Sequence, residues 1–78
     1  MTNIEKYNNV FIETFGVKES ELEGLHYKSV ASWDSVGQMT LLAGLEDAFD
    51  IMIEPDDILD ISSYENGKAI LHKYNVEL

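Results

Sequence analysis

Four stretches of the chain carry the pattern Ser/Thr-x-x-Glu/Gln, which is typical of the start of an α-helix. In this pattern the hydroxyl of the first residue accepts a hydrogen bond from the backbone N–H three residues later. The acid or amide side chain of that later residue in turn accepts a hydrogen bond from the backbone N–H of the first residue. The four stretches begin at Thr2, Ser20, Ser35 and Ser62. They divide the chain into helical units, and 78 residues leave room for one core around which such units can pack.

The spacing of apolar residues predicts where the helices run. Residues 4–15, 35–49 and 63–73 are predicted to form three longer helices, because apolar side chains recur there at three- and four-residue steps. Residues 55–59 are predicted to form a short third helix with Pro55 in its first turn, where a backbone N–H would have no partner within the helix. Residues 17–34 have no regular period and form a long loop. The sequence therefore predicts an all-α protein, a small four-helix bundle in a single domain spanning 1–78.

The charge of the chain limits its partners. The formal net charge is −10, and no Lys or Arg occurs between Lys28 and Lys68. Nucleic acids and anionic membranes bind through Lys and Arg that displace counterions, so neither is an expected partner. Partners with basic surfaces are expected instead.

The composition also bears on the compartment and the chemistry. The chain has no cysteine, which excludes disulfides, thiolate metal sites and a cysteine nucleophile. No stretch has the roughly 18 apolar residues that insertion into a membrane requires, and the first residues lack the features of a signal peptide. A cytoplasmic location is expected.

Ser35 lies where loop-like sequence passes into the second predicted helix, and the pattern allows it two roles. It can be the N-cap of that helix with Gln38 as its partner, which would stabilise the helix by about 1 kcal/mol. Asp34, directly before it, is an equally good cap. If Asp34 takes that role, the Ser35 hydroxyl is free at the amino end of a helix, where the dipole favours an attached anion. The pattern alone leaves both roles open.

Four motifs follow one another along the chain: Asp34-Ser35-Val36 at the helix start, LEDAFDI at 45–51, PDDI at 55–58 and SSY at 62–64. Together they resemble the acyl carrier protein family. These motifs and the helix order cover nearly the whole chain. The resemblance implies that the chain has an acyl-carrier-like fold and no catalytic activity of its own. It further implies that Ser35, within the Asp34 motif, accepts 4'-phosphopantetheine from coenzyme A, whose thiol then carries acyl or aminoacyl groups as thioesters.

A second face of the same helix is the expected docking surface. This face comprises Val36, Met39, Ala43, Glu46 and Asp47, which recur at three- and four-residue steps away from the apolar stripe. The resemblance implies that a monomeric carrier docks there with a phosphopantetheinyl transferase. It implies the same for an acyl- or aminoacyl-activating ligase, a ketosynthase or an acyltransferase with basic docking patches. Such carriers serve fatty-acid, polyketide or other specialised biosynthesis. With Trp33 directly before the motif, the sequence is similar to stand-alone carriers of specialised pathways.

Three other functions fit parts of the sequence. A small acidic protein-interaction module, in which Ser35 is only a helix cap, is the main alternative. A serine hydrolase would need His26 or His72 as the base, but Trp33 stands where the nucleophile elbow requires glycine. A calcium loop is disfavoured because the required spacing and closing glutamate are missing around three acidic residues, Asp56, Asp57 and Asp60. These acids are expected to form a solvated face of the short third helix.

Overall fold

Four α-helices make up the fold in the computed structural model of the chain, which describes residues 1–78. They are α1 (Asn3–Phe15), α2 (Ser35–Phe49), α3 (Pro55–Ile58) and α4 (Tyr64–His72). The loop between α1 and α2 contains one turn of 3-10 helix, Glu19–Glu21, and the chain has no strand. The predicted small all-α protein with three longer helices, one short helix and a long first loop is confirmed. Each predicted helix end lies within one residue of the observed end.

The capping pattern at the start of α1 forms as the sequence predicts. The Glu5 backbone N–H donates to Thr2 Oγ1 at 3.3 Å, and the Thr2 N–H donates to Glu5 Oε1 at 2.8 Å. The bond from the Thr2 backbone lowers the pKa of the Glu5 carboxyl. Gly16, with a φ of 66°, then ends the helix, and its N–H donates to the Ile12 carbonyl at 2.8 Å. Glycine suits this position because a left-handed backbone is strained for other residues.

The capping patterns predicted to begin at Ser20 and Ser62 are wrong, because other residues form the caps there. In the loop turn, the Lys18 N–H donates to Glu21 Oε1 at 2.8 Å, and Ser20 caps nothing. The cap of α4 is Ser63 rather than Ser62, and Asn66 is its partner. The reason is a tertiary contact: the Ser62 carbonyl accepts the Tyr27 N–H of the long loop at 2.8 Å. Ser62 is therefore held by the loop, and the helix begins after it.

An aromatic cluster forms the centre of the core. Its members are Tyr7, Phe11, Phe15, Trp33 and Tyr64. The Trp33 ring is fully buried, lies stacked on Phe15 with ring centroids 4.7 Å apart, and meets Phe11 edge-on at 5.7 Å. Three leucines of α2 complete the core on the other side: Leu41, Leu42 and Leu45. Leu22 and Leu25 are also buried, so the long loop is anchored to the core rather than free.

Two glycines let α2 approach its neighbours closely. A Cβ atom at Gly37 would lie 2.0 Å from the backbone carbonyl oxygen of Ser32, and one at Gly44 would lie 2.9 Å from Val10 Cγ1 of α1. Ordinary carbon contacts are about 3.5–4.0 Å, so neither site accepts a side chain without movement. Gly37 fixes α2 against the end of the long loop, and Gly44 fixes it against α1.

The short helix α3 is held by its own acidic residue. We expected the α3 acids to be solvated, but Asp57 is only 4% exposed. Lys73 Nζ lies 2.7 Å from Asp57 Oδ1, and the Tyr74 hydroxyl donates to Asp57 Oδ2. The Lys73 bond, followed by the Tyr74 bond, lowers the pKa of the Asp57 carboxyl. Asp57 thus ties α3 to the carboxyl end of α4.

None of the helices combines the length and the apolarity that crossing a membrane requires.

Candidate functional site

Asp34 is the N-cap of α2. Its Oδ1 accepts the Gly37 N–H at 2.9 Å, and its backbone is extended at φ −111°. Ser35 is the first residue inside the helix, so its hydroxyl is not needed to satisfy the helix start. The predicted capping pattern of Ser35 with Gln38 is therefore wrong, because Asp34 already caps the helix.

The Ser35 hydroxyl is exposed and has one hydrogen-bond partner. Ser35 Oγ lies 3.3 Å from the Tyr27 hydroxyl of the long loop, and either group can donate. No histidine reaches it: His26 Nδ1 instead lies 2.9 Å from the Gly24 carbonyl oxygen, and His72 ends α4. Without a base beside it, the hydroxyl lacks the arrangement that activates the nucleophile of a serine hydrolase.

A pocket of about 340 Å³ opens beside Ser35. It is lined by residues of α2, of the long loop and of the segment around the end of α3: Tyr27, Ser35, Gln38, Met39, Leu59, Ile61 and Ser62. Met39 and Leu59 are 56% and 82% exposed, and because they line the same pocket they form an exposed apolar patch. A group attached to Ser35 would therefore lie next to apolar surface.

Gln38 lines this pocket and is only 6% exposed. The Trp33 indole N–H donates to Gln38 Oε1 at 2.7 Å, and Gln38 Nε2 donates to the carbonyls of Ile58 and Ile61 at 2.7 Å each. An indole N–H only donates and a carbonyl only accepts, so the orientation of the amide is fixed. Gln38 therefore links α2 to the end of α3 and to the residues before α4.

The sequence contained one signal for this role, which the capping interpretation missed. Gln38 lies three residues before Leu41 and four before Leu42, which places it on the core stripe of α2 rather than on the docking face. A polar residue on a buried stripe needs buried hydrogen-bond partners. Tyr27 carried no comparable signal, because its contact with Ser35 depends on the path of the long loop.

Most of the predicted docking face lies on the surface. Four of its residues are exposed: Val36, Met39, Ala43 and Asp47. Glu46 differs, since it is half-buried and its Oε2 accepts the Ile53 backbone N–H at 2.8 Å. Glu46 therefore holds the connection between α2 and α3, and Asp47 is the freely exposed acid of this face.

The acidic residues form no metal site. No group of three or more His, Asp or Glu side chains is placed to hold a metal ion. Both oxygens of the buried Asp57 carboxylate are taken up by Lys73 and Tyr74.

Comparisons of the chain with family models, with curated proteins and with solved structures give no match.

Proposed function

We propose that this chain is an acyl carrier protein that carries acyl or aminoacyl groups on a 4'-phosphopantetheine arm at Ser35. The observation that supports this most directly is that two different residues cap α2 and present a free hydroxyl at its start. Asp34 supplies the cap, so the Ser35 hydroxyl is exposed and has no structural task beyond its contact with Tyr27. A serine in the Asp-Ser-Val motif of a carrier needs this freedom.

The residues around Ser35 fit the attachment. Loading forms a bond from Ser35 Oγ to the β-phosphorus of coenzyme A, breaks the bond to 3',5'-ADP, and passes the hydroxyl proton to a base on the transferase. The positive end of the α2 dipole favours the resulting phosphodiester. The bound arm supplies a thiol, and this chain has no cysteine of its own. The chain's part is to display the attachment point on a rigid helix start.

The surface next to Ser35 supports docking of enzymes with basic patches. Val36 is 75% exposed and stands directly after the attachment residue. Asp47 lies further along the same helix and contributes to the net charge of −10. Apolar contact near the arm combined with acidic groups around it suits a transferase, and equally an activating ligase, ketosynthase or acyltransferase.

The competing proposal is an acidic interaction module that is never modified. The exposed apolar residues Val36, Met39 and Leu59 favour it, because exposed apolar side chains beside one another mark protein contacts in general. This alternative gives the Ser35 hydroxyl no role, whereas the carrier proposal requires it.

Loading in vitro separates the two. The protein is incubated with coenzyme A, magnesium and a promiscuous phosphopantetheinyl transferase, and the intact mass is measured. We expect one phosphopantetheine on the wild type and none on Ser35→Ala, with helical circular dichroism unchanged. Ser63→Ala is the matched control, since it removes another helix-start hydroxyl and should still be loaded. An unmodified wild type, under conditions that load a known carrier completely, would contradict the proposal.

A further inference from the structure

Gln38 lies at the boundary between the pocket beside Ser35 and the interior, since it lines the pocket and is only 6% exposed. Its three hydrogen bonds run to Trp33, to the end of α3 and to Ile61. We propose that Gln38 is a specificity-determining residue, which closes the core to long acyl chains and restricts the carrier to short acyl or aminoacyl cargo. This inference rests on the function proposed above and goes beyond it by naming the class of cargo.

Opening the core at this point has a specific cost. A chain passing between α2 and the segment after α3 would have to displace the Gln38 amide. The Trp33 indole N–H and the carbonyls of Ile58 and Ile61 would then lose their partner, and an apolar chain offers no replacement. Buried polar groups without partners are among the more costly defects in a fold, so the closed arrangement is favoured.

The packing behind Gln38 leaves no space to compensate for this cost. Leu41 and Trp33 are both fully buried. The Trp33 ring cannot easily swing away, because it is stacked on Phe15. Close-packed interiors resist insertion of additional methylene groups, so a long chain gains no preformed cavity there.

The surface of the pocket is suited to a small cargo. Besides apolar Met39 and Leu59, its lining includes the hydroxyl-bearing residues Tyr27 and Ser62. A short acyl or aminoacyl group on the arm can contact this mixed surface without entering the core. A long chain would leave most of its length in water, where exposed apolar area is unfavourable.

A series of acyl groups of increasing chain length tests the inference on the wild-type protein. Acetyl-, hexanoyl- and tetradecanoyl-coenzyme A are used as donors, so that the acylated arm moves to Ser35 Oγ as one unit, 3',5'-ADP leaves, and the thioester stays intact. Two quantities are then compared: the NMR signals of the Trp33 indole N–H and the Gln38 side-chain amide, and the rate of thioester cleavage by hydroxylamine. We expect both to be the same for all three cargoes, within about twofold for the rate.

Two variants assign the effect to Gln38. Gln38→Leu removes the three hydrogen bonds at nearly constant volume, and we expect it to protect the tetradecanoyl thioester several-fold relative to the acetyl thioester. Thr40→Val is the matched control, because it removes a side-chain hydrogen bond on the exposed side of α2, that of Thr40 Oγ1 to the Val36 carbonyl, and leaves the Gln38 bonds intact. It should behave as the wild type. If Gln38→Leu gives no protection, Gln38 is not the determinant.

The wild-type series alone can overturn the inference, so the test does not depend on the folding of a variant. Shifted Trp33 and Gln38 signals together with a protected thioester in the tetradecanoyl form would show that a long chain enters the core. If Ser35 accepts none of the three acylated arms, the proposed function fails and the inference fails with it. That outcome differs from normal loading followed by burial of the long chain, which overturns the inference only.

Discussion

Two serines stand at helix starts in this protein, and they are used differently. Ser63 is the N-cap of α4: its Oγ accepts the Asn66 N–H at 3.0 Å, and Asn66 Oδ1 accepts the Ser63 N–H at 3.1 Å. Ser35 is the first residue inside α2 and makes no such bond. Both lie in similar local sequence, with a polar residue directly before each and an amide-bearing residue three positions after each.

The difference comes from the residue before each serine. Asp34 has its side chain free and takes the cap of α2. Ser62 is engaged with the long loop through its backbone carbonyl, so the cap of α4 passes to Ser63. The role of a serine at a helix start is thus decided by its neighbour and by tertiary contacts. A hydroxyl becomes available for other chemistry when its neighbour caps the helix.

The largest effect is expected from a change that disturbs the α2 start itself. In Gly37→Ala the new methyl group would meet the Ser32 carbonyl at 2.0 Å, so either the loop or the first turn of α2 must move. Overpacking of this kind costs typically about 1–3 kcal/mol, against a helix-propensity gain of up to about 1 kcal/mol. Because the close atom is backbone, the cost should lie near the upper end of that range, and we expect a net loss of about 2 kcal/mol in the free energy of unfolding, measured by urea denaturation.

Gly44→Ala is the control for this prediction. It adds the same methyl group to the same helix, but the close atom there is a Val10 side-chain methyl at 2.9 Å rather than a backbone carbonyl. Side chains adjust more easily than backbone, and alanine favours the helix, so the variant should stay within about 1 kcal/mol of the wild type. Equal losses in both variants would show that the Gly37 contact does not fix the helix start.

The serine comparison itself predicts an intermediate effect. Ser63→Ala should lower the free energy of unfolding by about 1 kcal/mol, because the Asn66 N–H loses its cap. Ser35→Ala should change it by less than about 0.5 kcal/mol, since its hydroxyl caps nothing. Asp34→Ala should resemble Ser63→Ala. Thermal and urea denaturation of the three variants check this, and a larger loss in Ser35→Ala than in Asp34→Ala would reverse the assignment of the cap.

A third helix start, that of α3, has no side-chain cap and depends on acidic residue Asp57 instead. Lys73 and then Tyr74 lower the pKa of this carboxyl from its ordinary value of 3.8. The folded protein therefore holds that proton less tightly than the unfolded chain. The resulting stabilisation is complete above the ordinary carboxyl pKa and is lost as the pH falls through the lowered pKa of the folded state.

Acid titration of two variants isolates this contribution. In Asp57→Asn the loss of stability on acidification below about pH 4 should be shallower than in the wild type. Asp56→Asn, on the same helix but exposed, is the control and should keep the wild-type slope. The measurement is the urea midpoint by circular dichroism at a series of pH values. Identical slopes in all three proteins would exclude Asp57 as the group that holds α3.

The helices could be predicted from the sequence because their causes are local. Apolar spacing, Thr2, Gly16 and Pro55 act within one or two turns, and they define each helix to within one residue. The functional details depend on distant contacts. The bond of Gln38 to Ile61 spans 23 positions, and that of Asp57 to Lys73 spans 16. No pattern in a single sequence specifies such pairs, so the local sequence predicts a cap partner at Gln38 and a solvated carboxylate at Asp57.

The smallest effect concerns the surfaces around the two serines. Asp47→Lys places a positive charge on the helix that presents Ser35, and we expect it to lower kcat/KM for loading by about threefold at low salt and less at high salt. Asp47 is chosen because Glu46 also holds the Ile53 amide, so that a change at Glu46 would alter the loop as well as the charge.

Glu19→Lys is the matched control for this last variant. It changes the net charge equally but lies in the loop turn, where its side chain lines a different pocket together with Tyr64 and Lys68. If docking uses the α2 surface, only Asp47→Lys should slow loading, because steering depends on charge near the contact. If both variants slow loading equally, the partner responds to the total charge of −10 and not to the surface beside Ser35. Equal rates in both variants and the wild type would show that charge does not contribute to docking. Docking would then depend on the exposed apolar residues Val36 and Met39.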